Sequence, residues 1–299
     1  MTGGVLCLKK EQGFTSHDAV AKVRKLFGTK KVGHTGTLDP QATGVLPILI
    51  GPAVKASDLI PGETKVYRAK VRFGISTDTQ DVWGKTIEEN DITPSEEDFA
   101  QAVASFVGDS MQIPPMVSAI KVDGKKLYEY AREGKVIERK ARPITVFSAQ
   151  MLAFSKEEAE LRFEVSKGTY IRTLLWDLCQ KVGCIGAMSA LCREKSGVFH
   201  IENALTLSQV EEMSQDERYA TLFPTENLFE IYPVFHLPAF FDRLIMNGCR
   251  VKVEKLGLSA KIGDRFRLYE NGTFCALGEV VEEEGEKALL KIKNFPSES

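Results

Sequence analysis

No stretch of this 299-residue chain approaches the ~20 consecutive apolar residues that a membrane-spanning helix requires. The amino-terminal MTGGVLCLKKEQG sets its basic residues after a very short apolar run, the wrong order and length for a signal peptide. Six cysteines (Cys7, Cys179, Cys184, Cys192, Cys249, Cys275) form no CxxC pair and have no histidine at zinc-ligand spacing. They read as reduced, mostly core thiols of a cytoplasmic protein. The four histidines (His17, His34, His200, His236) are scattered, with no HExxH and no EF-hand loop. No GxSxG turn anchors a serine triad, and neither a Walker loop nor a Gly-rich dinucleotide fingerprint is present. What remains is carboxylate chemistry assisted by arginine, tyrosine or histidine, with no cofactor and no metal.

The length favours one large domain plus a small one, and 43% hydrophobic with 27% charged residues is an ordinary globular composition. The net charge of −2 argues against nucleic acid only until its distribution is read. Residues 1–90 carry 13 Lys+Arg against 9 Asp+Glu, and residues 121–200 carry 15 against 10. The acidic excess lies elsewhere: residues 91–120 have five acids and no Lys or Arg, and residues 201–299 have 17 acids against 11 bases. Blocks this small are commonly just solvated surface, but a mildly basic face also suits a polyanion that is bound and released repeatedly.

Strand and helix patterns interleave. GVLCL reads as a strand, and TSHDAVAKVRKLFG as an amphipathic helix with Thr15 and Asp18 at capping-box spacing. KVYRAKVRFGI alternates basic and apolar residues, which predicts a half-buried strand with a basic outer side. SEEDFAQAVASFVG predicts a helix capped by Ser95. ELRFEVSKGTYIRTLLWDLCQKVG changes from period 2 to period 3.6, a strand running into a helix. Without regular βαβ repetition, the expectation is an α+β fold: a mixed, largely antiparallel central sheet flanked by helices.

Two segments stand apart. Residues 116–143 hold eight Lys+Arg, four acids and two tyrosines, a composition that fits either a surface insertion or a basic, aromatic-tipped finger. Beyond Pro233 the texture becomes short strands with turns, Asn271-Gly272 among them as a type I′ hairpin signal. The expected division is residues 1–232, including a helical connector at 201–232, and a small β module over 233–299.

GHTGTLDPQATGVLPILIG, residues 33–51, contains a single charged side chain, Asp39, in a stretch built of Gly, Thr, Pro and apolar residues. An Asp-Pro pair commonly hydrogen-bonds its own turn. The alternative is a nucleophile or base held rigidly at the mouth of a cleft.

That stretch resembles the aspartate motif of the TruB family of tRNA pseudouridine-55 synthases. The similarity continues, in the family's order, through GVLCLKKEQGFTSHDAV, KVYRAKVRFGISTDTQD, QIPPMVSAIKVDGKKLYEYAREG, KARPITV, SKGTYIRTLLWDL and ALCREKSG. It covers nearly everything to about residue 200, and the tail resembles a PUA RNA-binding module more loosely. The resemblance implies a pseudouridine synthase fold and isomerisation of one T-loop uridine, position 55, without a cofactor. The substrate is the T-arm stem-loop of tRNA, the target base is flipped out to be reached, and the enzyme acts as a monomer without a protein partner.

Asp39 matches the family's essential aspartate, which must be ionised to attack a carbon centre; C6 of the uracil and C1′ of the ribose both stay open. Arg172 matches the arginine that pairs with it, suited to a two-point hold on a carboxylate. Tyr67 matches the tyrosine that stacks on the uracil and is placed to handle the C5 proton. His34 corresponds to the histidine that fills the space left by the flipped base, and Tyr170 and Leu191 to pocket-lining positions. The 116–143 insertion corresponds to the element that clamps the T arm, with Lys125, Lys126 and Tyr128 as RNA contacts. In one departure, Glu11 stands where the family commonly has proline, so the loop bracing the site is either looser or held differently. A guide-RNA-dependent relative would lack the KVDGKKLYEYAREG insertion, and a non-enzymatic RNA-binding protein would not need Asp39, Tyr67 and Arg172 together.

Overall fold

The structure, a computed structural model, describes residues 3–62 and 64–295. Its organising strand is Thr43–Ile50, TGVLPILI, an unbroken apolar run because both faces are covered. Leu46 and Ile48 face the main core, while Val45 and Leu49 face a second cluster on the opposite side. The strand pairs antiparallel with Gly4–Lys10 and parallel with Gly186–Ser196. At the parallel junction Gly44 has φ +102°, and a Cβ there would lie 2.2 Å from the Arg193 carbonyl oxygen, so only glycine permits the close approach.

The sheet has ten strands among the described residues. Its main path runs Phe223–Pro224, Gly4–Lys10, Thr43–Ile50, Gly186–Ser196, Thr64–Phe73, Glu158–Ser166, Arg142–Phe154 and Gly108–Gln112. Apart from the one parallel junction its pairings are antiparallel, which is the expected mixed, largely antiparallel sheet. Helices Ser16–Leu26, Glu96–Ala104 and Ile171–Lys181 close one face. The first starts at a true capping box, with Thr15 and Asp18 each accepting from the other's backbone N–H. Its Ala19, Val20 and Val23 join Phe99, Ala102, Val103, Leu174, Leu175 and Leu178 from the other two helices in one core against Leu161, Phe163 and Val165. Each such fully buried Leu, Val or Phe stabilises by roughly 1.5–3 kcal/mol.

The stretch 201–232 is not wholly helical. Helices Leu207–Glu212 and Gln215–Ala220 both begin with capping boxes, but the chain then extends at Phe223–Pro224 to pair with the first strand. Gly4 and Val5 have free ladder positions at the sheet edge, and pairing there outcompetes a further helical turn.

A separate five-stranded sheet follows, ordered Val234–His236, Arg265–Glu270, Thr273–Glu283, Glu286–Asn294 and Val251–Lys252. Asn271 and Gly272 take φ +49° and +79°, the type I′ hairpin turn. Phe274, Leu277 and Phe295 from this sheet meet Phe229 and the outward face of Val5, Val45 and Leu49. Residues 296–299 of the expected β module lie outside the described residues. The 116–143 insertion forms a short hairpin, Lys121–Val122 with Lys125–Lys126, followed by helix Leu127–Arg132. Among the described residues, no helix is long and apolar enough to cross a membrane, and no cluster of three His, Cys, Asp or Glu could hold a metal ion.

Candidate active site

Asp39 sits on the loop between strands Val32–His34 and Thr43–Ile50, and that loop is fixed from several sides. Ser16, buried at the start of its helix, clamps Leu38: its Oγ accepts from the Leu38 N–H at 2.9 Å and donates to the Leu38 carbonyl at 3.1 Å. Pro40 offers its carbonyl to Lys10 Nζ at 3.0 Å and to the Gly13 N–H at 2.9 Å. Lys10 also donates to the Glu11 and Phe14 carbonyls, tying the amino-terminal loop to the aspartate loop. The loop with glutamate in place of proline is thus held by a buried ammonium, and the fixed φ of a proline is not required. Burial pulls the Lys10 ammonium down to about 8, against the opposing pull of Asp39.

Arg172 reaches Asp39 from the first turn of helix Ile171–Lys181. Its Nε lies 3.0 Å from Asp39 Oδ2, with the arginine side chain 4% and the aspartate side chain 40% exposed. The hold is one-point rather than two-point, because the rest of the fork is engaged elsewhere. Nη1 donates to the Thr79 carbonyl and Nη2 to the Val117 carbonyl, both at 2.8 Å, and Nη1 stands 3.6 Å from Asp81 Oδ2. The guanidinium therefore joins the aspartate loop, the 77–81 turn and the root of the 116–143 insertion. A partly exposed carboxylate held at 3.0 Å by a buried arginine keeps a fixed direction, as a nucleophile or a general base requires.

Asp39 and Arg172 open on a cleft of about 280 Å³ that Tyr67, Tyr170 and Leu191 also line. Tyr67 projects from the middle of strand Thr64–Phe73 and is 7% exposed. Burial pushes the Tyr170 phenol above its usual 10.0, with Ser118 and Arg172 pulling the other way. His34 is not among the lining residues. It ends the short strand before the loop, its ring edge-on to His17 at 5.9 Å, with a buried Nδ1 that has no partner. Burial, then the nearby His17, Arg193 and Lys65 charges, hold its imidazole below 6.5.

Lys125, Lys126 and Tyr128 stay on the insertion and do not enter the cleft. Lys125 pairs with Glu133, which engages its charge, while Lys126 and Arg132 lie over the Tyr128 ring at 5.4 and 5.2 Å. What reaches the cleft is the insertion's root, Val117, Ser118 and Ala119.

Three contributors were not legible as site residues. Asp81, within TDTQD, needed the fold to reach Arg172. Gln112, 4% exposed, donates to the Tyr170 carbonyl and accepts from its N–H, serving a helix start that has no side-chain cap. Lys65 lines the cleft beside Tyr67, and its only sequence signal was two-residue spacing on one strand.

A sequence model of the TruB family pseudouridylate synthases (N terminal domain) matches residues 24–171. A tRNA pseudouridine synthase B of Clostridium tetani is 41% identical over 94% of this chain and 96% of its own. One of Shigella dysenteriae is 40% identical over 97% of this chain and 94% of its own. Among solved structures, a Cbf5–Nop10–Gar1 complex superposes with TM-score 0.73 at 25% identity, over 98% of this chain and 85% of the matched one. The fold is that of a pseudouridine synthase. Within that class, the chain belongs to the TruB family.

Proposed function

We propose that this protein converts the uridine at position 55 in the T loop of tRNA to pseudouridine, with Asp39 as the nucleophile and without a cofactor. The observation that carries the reading is the 3.0 Å contact between Arg172 and a partly exposed Asp39 in a cleft that Tyr67 also lines. The activity named for the relatives from Clostridium tetani and Shigella dysenteriae, which match nearly the whole chain, supports tRNA as the substrate. The target base is flipped into the cleft against Tyr67, with Tyr170 and Leu191 bounding it and His34 steadying the loop it leaves. Breaking C1′–N1 and joining C1′ to C5 loses no atoms other than an exchanged proton, so neither redox chemistry nor a carrier is called for.

Residues 1–232 carry the chemistry in this reading. The 116–143 insertion grips the T arm through phosphate contact and stacking, and the 233–299 module adds RNA surface. The module's basic residues contribute less than their number suggests, because Arg250 pairs with Glu283 and Lys252 with Glu286. The enzyme works as a monomer in the cytoplasm. Incubating an unmodified tRNA transcript with the protein and mapping pseudouridine at nucleotide resolution tests the reading. Modification at 55 alone is expected; modification elsewhere, or none, overturns it.

A further inference from the structure

Four cationic side chains are buried among the described residues: Lys10, Lys65, Arg172 and Arg193. Three have acceptors. Lys10 meets three carbonyls, Arg172 meets Asp39 and two carbonyls, and Arg193 donates to the carbonyls of Val45 and Gly36. Lys65, only 8% exposed, has no hydrogen-bond acceptor or carboxylate partner among the described residues. The residue is enclosed, yet its ammonium is not among the sealed-off unpartnered atoms and lines the cleft, so its charge is uncompensated there and available to a ligand.

Its surroundings make the imbalance sharper. The point a Gly36 Cβ would occupy lies 2.7 Å from Lys65 Nζ and 3.7 Å from Arg193 Nη1, which is itself buried without a partner. A side chain at Gly36 would displace the ammonium, so the loop leaves room for it. Lys65 stands two residues before Tyr67 on one strand, on the same face and about 7 Å along it. Both line the cleft with Asp39. Lys65 is 8% exposed and the Asp39 side chain 40%, so the lysine is the more enclosed of the two cleft residues. A phosphate tethered to the RNA backbone stays near the mouth, whereas the base occupies the depth.

We infer that Lys65 is a catalytic residue that donates to a uracil carbonyl oxygen and stabilises the negative charge that develops on the ring. This rests on the proposed uridine isomerisation. When C1′–N1 breaks, its electron pair stays with the uracil, spread over N1, O2 and O4. The ring then turns, C5 bonds to C1′, N1 takes a proton and C5 gives one up. If Asp39 first adds to C6, the displaced pair again moves toward O4. Either route puts charge on a carbonyl oxygen, so Lys65 serves both. A donor aimed where charge develops in a site shielded from water contributes far more to the rate than to binding.

The test compares wild type with Lys65→Met, and with Lys65→Gln as the variant to use if the methionine does not fold. Single-turnover rates of C1′–N1 cleavage, the step open to both substrates because 5-fluorouridine has no C5 proton to lose, are measured at saturating enzyme on tRNA transcripts carrying uridine or 5-fluorouridine, alongside tRNA affinity as a function of salt. The expected result is a rate on uridine lower by about 10²–10³-fold, with affinity within threefold. The deficit should be at least severalfold smaller on 5-fluorouridine, whose electron-poor ring carries negative charge with less help. An unchanged saturating rate with weaker binding and a shallower salt dependence would make Lys65 a phosphate contact and overturn the inference. Equal deficits on the two substrates would make it a structural residue and overturn it too. Failure of wild type to modify position 55 would instead sink the parent reading.

Discussion

Replacing Arg172 with lysine tests whether one guanidinium organises the site. The native fork makes two 2.8 Å bonds to the Thr79 and Val117 carbonyls while its Nε holds Asp39 at 3.0 Å. A lysine ammonium is a point donor that cannot span these partners, so at least two charge-assisted bonds are lost. Bonds of that kind contribute about 1.5–3 kcal/mol each. Asp39 is partly solvated and water takes over part of its share, so most of the loss falls on the two carbonyls and the destabilisation should be about 3 kcal/mol. The rate should fall more steeply than stability suggests. With its lateral hold gone Asp39 drifts, and a misplacement of about 1 Å costs on the order of 10²-fold. Urea unfolding and single-turnover pseudouridine formation at saturating enzyme measure the two effects. A variant within threefold of the wild-type rate and within about 1 kcal/mol of its stability would refute the reasoning.

Two other predictions follow from the electrostatics of the molecule. His34 is held below 6.5 by burial, so an unfolded chain takes up a proton that the folded chain refuses in the window just below that value. Stability therefore falls as pH drops through about 6.5, and His34→Gln should flatten that slope in thermal melts between about pH 5.5 and 7.5; parallel slopes would contradict this. On the insertion, Lys126→Ala should reduce the slope of log affinity against log salt by roughly 0.7–0.9. Lys125→Ala should change it less, because Glu133 already engages that ammonium; equal changes would show that the ion pair opens on tRNA binding.

Much of the fold was readable because local signals and burial agree. The Thr15–Asp18 box, the Ser95 cap, the strand-to-helix change before Arg172 and the Asn271-Gly272 turn are short-range devices written in adjacent residues. The sheet edge was not readable that way. Phe223–Pro224 is a strand only because Gly4 and Val5 stand opposite it, a contact more than 200 residues away in sequence. The site divides similarly. Asp39 stood out as a lone charge in a backbone-rich stretch, but its supports did not. Ser16, Lys10 and Gln112 carry no local signal of a site role; each serves the site through a long-range hydrogen bond. Arg172 was expected to grip Asp39 with both ends of its fork, and the pull of two backbone carbonyls leaves it one.

The central claim is that Asp39 acts on the base rather than merely shaping its loop. An asparagine in its place would keep the size and the turn while giving up the negative charge, so Asp39→Asn separates the two. Pseudouridine formation at tRNA position 55 by purified Asp39→Asn, measured under single-turnover conditions with tRNA affinity determined in parallel, is the most direct test. The account predicts no detectable product with affinity within severalfold of wild type. Measurable turnover by that variant would contradict it.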